Sequence, residues 1–141
     1  MIKPVIQEET TGCAIASVAA IAGVSYRNAK AAARRLGIEA ADDRLWSDTA
    51  HVRKLLAHFK IASASTKVPF RSWTALPDLA LLATKWHVHQ GRAFWHWVVF
   101  VRIKGSPQVL DSKRRLRRHR RTDFGRMRPK WYLRVRHKEN F

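Results

Sequence analysis

Between Cys13 and Ala22 almost every position is apolar, and Ile15, Val18, Ala19 and Ala22 recur at helical spacing. The pattern predicts a helix starting near Gly12, with Thr10 or Thr11 as its cap and Gly23 as its C-terminal stop. Ser25 suits the N-cap of a second, basic amphipathic helix that runs to Leu36 and is ended by Gly37. A third is expected from Asp48 to about Lys60, capped by Ser47, with Val52, Leu55, Leu56 and Phe59 on one face.

From Ile61 the period changes. Ile61 to Ser65 reads as a short strand, and Pro77 reads as opening a brief helix through Ala83. Lys85 to Gln90 alternates Trp86, Val88 and Gln90 with His87 and His89, Gly91-Arg92 turns the chain, and Phe94 to Ile103 is aromatic and β-branched; together they predict a hairpin. A second turn at Gly105 to Pro107 leads into Gln108 to Leu110, and Trp131 to Val135 supplies a last strand. No repeat or linker divides the chain. The expected fold is α+β, one domain over residues 1–141, with a helical half to about residue 60 packed on an antiparallel sheet formed by the rest.

An apolar content of 46% is ordinary, but a net charge of +18 is not. Residues 112–141 hold 13 Lys and Arg against Asp123 and Glu139, a net +11. The basic segment, residues 113–138, is densest at Lys113, Arg114, Arg115, Arg117, Arg118, Arg120 and Arg121. These seven are candidate contacts for nucleic acid or another polyanion, since each cation that neutralises a phosphate releases counterions. The same charge is also read as selecting an acidic peptide or protein substrate, or as a solvated face that maintains solubility.

The apolar run from Ala14 to Ala22 has the look of a secretion signal. Against that, Glu8 and Glu9 stand where a signal carries positive charge, and about nine residues are too few to span a bilayer. No membrane span and a cytoplasmic, reducing location are expected, in which a lone thiol stays free.

Cys13 is the only cysteine. At the first turn of a helix a thiolate faces unpaired backbone N–H groups and the positive end of the macrodipole, a setting that suits a nucleophile. Such a nucleophile needs a base within reach, a group to orient the base, and donors for the developing oxyanion. His96 lies near the start of the aromatic strand and Asp111 ends the next. The separation of 15 residues, with a turn around Gly105, allows the carboxylate to return beside the imidazole, holding one ring nitrogen and leaving the other for the thiol. Taken singly, Cys13 reads as a small buried residue, His96 as a core histidine and Asp111 as a turn cap. Their joint placement favours catalysis.

The order of short motifs carries a resemblance. Gln7, Cys13 six positions later and Ser17 one turn beyond, followed by His96-Trp97-Val98-Val99 and Val109-Leu110-Asp111, resemble the bacteriocin-processing, double-glycine-leader peptidases of the papain-like cysteine peptidase superfamily. Gly23 to Tyr26, the helix from Asp48 and Leu76-Pro77-Asp78-Leu79 fall where that family has similar segments. The resemblance implies a papain-like fold, Cys13 as nucleophile, His96 as general base and then acid, Asp111 as orienting carboxylate and the Gln7 amide as an oxyanion donor. It departs at Gly12, where the family usually has an acidic residue, at Ala14, where it has Gly, and at Ser112, where Pro is common. These 141 residues hold neither a transmembrane span nor a Gly-Lys-Ser/Thr nucleotide loop, so the expectation is a stand-alone domain, without leader cleavage implied.

His87 and His89 share a strand face, and His51 and His58 share a helix stripe. No second Cys or acidic ligand stands at a metal-like spacing, so no metal and no cofactor is expected. The six tryptophans read mostly as core, with Trp95 and Trp97 on the strand face opposite His96, one of them available to line a cleft. Two functions of different class result: a thiol hydrolase of peptide or isopeptide bonds, and a non-catalytic module that grips a polyanion through its Arg-rich region.

Overall fold

A computed structural model describes residues 2–137, so Lys138, the last residue of the basic segment, lies outside the described residues. The fold is α+β, with helices α1 (Cys13–Ala22), α2 (Tyr26–Arg35) and α3 (Ala50–His58) preceding the strands. These are β1 (Ile61–Ser63), β2 (Val68–Pro69), β3 (Leu79–His89), β4 (Arg92–Ile103), β5 (Ser106–Leu110), β6 (Arg120–Arg121) and β7 (Pro129–His137). They form an antiparallel sheet in the order β1-β7-β3-β4-β5-β6, with β2 also paired to β7.

The predicted helix from Pro77 to Ala83 is absent. Leu79 to Ala83 instead forms the first half of β3, in the middle of the sheet, and Ala80, Leu81, Leu82 and Ala83 are all fully buried. Alternate side chains enter two cores: Leu81 and Ala83 meet the helices, whereas Ala80 and Leu82 join Leu76, Phe100, Met127 and Tyr132 on the other face. A strand covered on both faces is apolar throughout, so it carries no alternation to separate it from a helix, and ladder pairing on both sides overrides the helix preference of Ala and Leu. The other unexpected placement is β7, which is longer than its apolar core suggests and is inserted between β1 and β3.

Two helix starts also differ from expectation. Thr11 does not cap α1; its hydroxyl donates to the Ala40 carbonyl, and Gly12 takes the cap position without a side-chain bond. A Cβ on Gly12 would come 2.2 Å from the Tyr26 hydroxyl oxygen, so glycine permits α2 to pack against the start of α1. At α3 the Asp48 carboxylate, rather than Ser47, accepts the Ala50 N–H at 3.1 Å, while Ser47 terminates a 3-10 turn at Asp43–Trp46. Ser25 caps α2 as expected, accepting the Asn28 N–H at 3.1 Å.

Two tight turns set the register. The β3–β4 turn falls at Gln90-Gly91, one residue earlier than expected, and the β4–β5 turn at Lys104-Gly105; all four residues have positive φ. Two-residue turns of this kind match the right-handed twist of the strands they join. Among the described residues, no helix is long and apolar enough to cross a membrane.

Candidate active site

Cys13 is the first residue of α1, and the Trp97 N–H of β4 donates to its Sγ at 3.5 Å. Helix start and strand are thus locked together at the thiol. The next residue back along β4 is His96, whose carbonyl accepts the Thr84 hydroxyl of β3 at 3.0 Å. Because the Lys104-Gly105 turn pairs Val99 with Leu110, Asp111 returns alongside His96, and His96 Nε2 donates to Asp111 Oδ1 at 2.7 Å. The remaining ring nitrogen has no hydrogen-bond partner among the described residues, and the Cys13 side chain lies close enough to raise the imidazole.

Water is nearly excluded from the pair: the Asp111 side chain is 1% exposed and that of His96 15%. Burial alone would push the imidazole down, but the Asp111 carboxylate and the Cys13 side chain outweigh it and raise His96 to about 9. Burial pushes the Asp111 carboxyl up; hydrogen bonding and charge from His96, with the Lys113 N–H and Arg121 beside it, reverse this and hold it far below the usual carboxylate range. The pair therefore favours an imidazolium facing a carboxylate.

The third partner of the Asp111 carboxylate, Arg121, carries no motif in the sequence. Arg121 Nη1 donates to Asp111 Oδ2 at 2.8 Å, and the rest of the guanidinium grips Asp123 through Nε at 2.9 Å and Nη2 at 2.7 Å. Around it, the Asp111 N–H donates to the His119 carbonyl and His119 Nδ1 donates back to the Asp111 carbonyl, both at 2.8 Å. Arg121 comes into place through the pairing of β6 with β5, which sets it opposite Val109. No local sequence signal separates it from the other arginines of the basic run.

Gln7 lies close by, but its amide is engaged. Nε2 donates to the carbonyls of Glu9 at 3.0 Å and Thr10 at 2.9 Å, while Oε1 accepts the Ser112 hydroxyl at 2.7 Å. Gln7 thus ties the segment before α1 to the residue after Asp111, and an oxyanion role requires one amide hydrogen to leave its carbonyl. Ser17, one turn after Cys13, has a buried hydroxyl with no partner among the described residues.

An open cleft of about 1000 Å³ passes the pair, with Gln7, Thr10, Trp95, His96, Lys85 and Lys113 in its lining. Cys13 is fully buried and is not part of that lining, so the thiol is closed to solvent in this state. Trp95, Trp97 and Trp131 pack edge to face within the helix-side core, with Trp95 also on the cleft, while Trp86 is exposed.

The seven candidate polyanion contacts divide. Lys113, Arg114, Arg115, Arg117 and Arg118 are exposed, whereas Arg120 and Arg121 are half-buried and committed. Arg120 bonds Gln108 and the Ile2 carbonyl, the latter at 2.9 Å. His87 and His89 are exposed at the far end of β3, and His51 pairs with Asp48 at 3.0 Å. Among the described residues no three His, Cys, Asp or Glu side chains gather as a metal-binding group. No protein-family model matches the chain, and no curated protein matches it either.

Proposed function

We propose that the protein is a papain-like cysteine peptidase, hydrolysing peptide or isopeptide bonds through Cys13, His96 and Asp111. The observation that carries this reading is the Asp111–His96 pair, bonded at 2.7 Å, next to Trp97, whose N–H donates to the lone cysteine at the first position of a helix. In the reaction the thiol proton already rests on His96 as the imidazolium, and Sγ attacks the substrate carbonyl carbon as the thiolate. The tetrahedral oxyanion takes the Cys13 backbone N–H, which has no intrahelical acceptor at this position, and one released hydrogen of the Gln7 amide. Collapse expels the amine, which leaves with the proton from His96, and a thioester remains. Water then attacks the thioester, giving its proton to His96, and the thiolate leaves as the acid product forms. Access to the closed thiol requires the buried start of α1 to be uncovered. A reducing, cytoplasmic setting, which keeps the thiol free, belongs to this reading.

The test is the rate of Cys13 alkylation by iodoacetamide against pH, in the wild type and in His96→Ala. Reaction that persists well below the pH of an ordinary thiol and is lost with His96 supports the pair. Ordinary thiol titration in both proteins sinks the proposal.

One observation favours a second reading, a module that binds nucleic acid or another polyanion. A shallow groove beside the exposed Trp86 is lined by Lys85, Arg126, Arg128 and Lys130, with no carboxylate. Binding through this face would weaken steeply with salt, with a log-log slope set by the phosphates contacted.

A further inference from the structure

The cleft carries an imbalance beside His96. Lys85 follows Thr84, the β3 residue paired with His96, at a bulge where its φ is 53° and its N–H donates to the Arg128 carbonyl at 3.2 Å. Lys113 lies two residues after Asp111, and its N–H donates to the same Asp111 oxygen that holds His96, at 3.2 Å. Both side chains line the cleft, and neither ammonium forms an ion pair among the described residues. Burial lowers the Lys85 pKa, and the neighbouring Lys113 charge lowers it further. Asp111, the one carboxylate that counters this, is already occupied by His96 and Arg121. Trp95, on the same cleft, keeps a buried indole N–H with no acceptor.

The other charged groups of the lining do not relieve the pair. Glu9 is taken by Lys30 and Tyr26, Glu8 approaches Lys30 at 4.0 Å, and Asp43 makes no ion pair. Arg114 and Arg115 add two more cations. In the cleft beside His96, the two ammonium groups and the Trp95 indole N–H thus lack an acceptor among the described residues.

We propose that Lys85 and Lys113 form a receptor for a carboxylate of the substrate, held next to the bond that Cys13 attacks. This rests on the peptidase reading and supplies its substrate class: peptides with an acidic side chain or a free C-terminal carboxylate beside the scissile bond.

The single thiol permits a direct test with two alkylating reagents of similar size, anionic iodoacetate and neutral iodoacetamide. The ratio of their rates on the wild type is expected to fall about tenfold in the Lys85→Gln/Lys113→Gln variant at low ionic strength, and to fall in the wild type as salt is added. Iodoacetamide on the same protein normalises any change in the thiol itself. Arg27→Gln removes an exposed cation on α2, outside the cleft lining, and is expected to keep the ratio. An equal loss there assigns the preference to overall charge and overturns the site, as does an unchanged ratio in the double variant. Rapid iodoacetamide reaction that depends on His96, without an iodoacetate preference, overturns the receptor and leaves the peptidase reading standing; a thiol inert to both reagents overturns both. Protection against iodoacetate by a Glu peptide amidated at its C-terminus marks a side-chain carboxylate, protection by an Ala peptide with a free C-terminus marks a terminal one, and protection by neither overturns the receptor.

Discussion

Arg121 Nη1 donates to Asp111 Oδ2 at 2.8 Å, on the carboxylate oxygen that His96 does not use. The guanidinium fixes the carboxylate plane and draws negative charge away from the imidazole. Arg121→Gln removes a cation near His96 and so is expected to raise the imidazole titration above its value of about 9, followed by NMR of the ring, with Arg121→Lys restoring much of the original position. It also leaves Asp111 short of a buried partner, at a cost on the order of 3 kcal/mol in denaturant unfolding. An unchanged imidazole titration in Arg121→Gln would argue against a positioning role.

Stability should depend on pH through the same pair. His96 is raised from 6.5 to about 9 in the folded protein, so the folded state binds the extra proton, and its contribution is full below about pH 6.5 and lost as pH rises through 9. Asp111 is depressed, so its contribution is present above its ordinary value of 3.8 and lost as pH falls below it. Urea midpoints are expected to peak between these limits, and His96→Ala to flatten the decline on the alkaline side. A wild-type midpoint that rises between pH 7 and 9 would contradict the charged pair.

Gln7 is placed to affect both stability and rate. Gln7→Ala removes the donor to the Glu9 and Thr10 carbonyls and the buried acceptor of Ser112, so a lower melting temperature is expected. If the amide also serves the oxyanion, kcat on a peptide substrate falls by about 10²- to 10³-fold with KM little changed. A stability loss without any loss of kcat assigns Gln7 to structure alone.

Gly12 is set by packing. Gly12→Ala forces a Cβ against the Tyr26 hydroxyl, and overpacking of this kind costs about 1–3 kcal/mol. Tyr26→Phe removes the closest clashing atom, so the double variant should lose less than the sum of the two single changes, as measured by a double-mutant cycle in urea. Strict additivity would show that the helix start relaxes instead.

The sequence was most legible where structure is local. Gly23 and Gly37 end the first two helices in positive φ, Ser25 caps α2, and the β3–β4 and β4–β5 turns fall within a residue or two of where Gly91 and Gly105 put them. Cys13, His96 and Asp111 could be proposed together because a turn near Gly105 makes the return distance of the second strand readable. Leu79 to Ala83 was misread because residues buried on both faces carry no period.

What the sequence determined by itself is this set of local elements, the approximate positions of two turns and the identity of the chemical groups, since each depends on neighbours within a few residues. Tertiary structure decided what those groups touch. The insertion of β7 beside β3, the pairing of β6 with β5 that turns Arg121 onto Asp111, and the bond from the Ser112 hydroxyl to Gln7 Oε1 all arise from contacts between distant segments. Such contacts depend on how whole surfaces fit once the chain has collapsed, and no short window of residues carries that information.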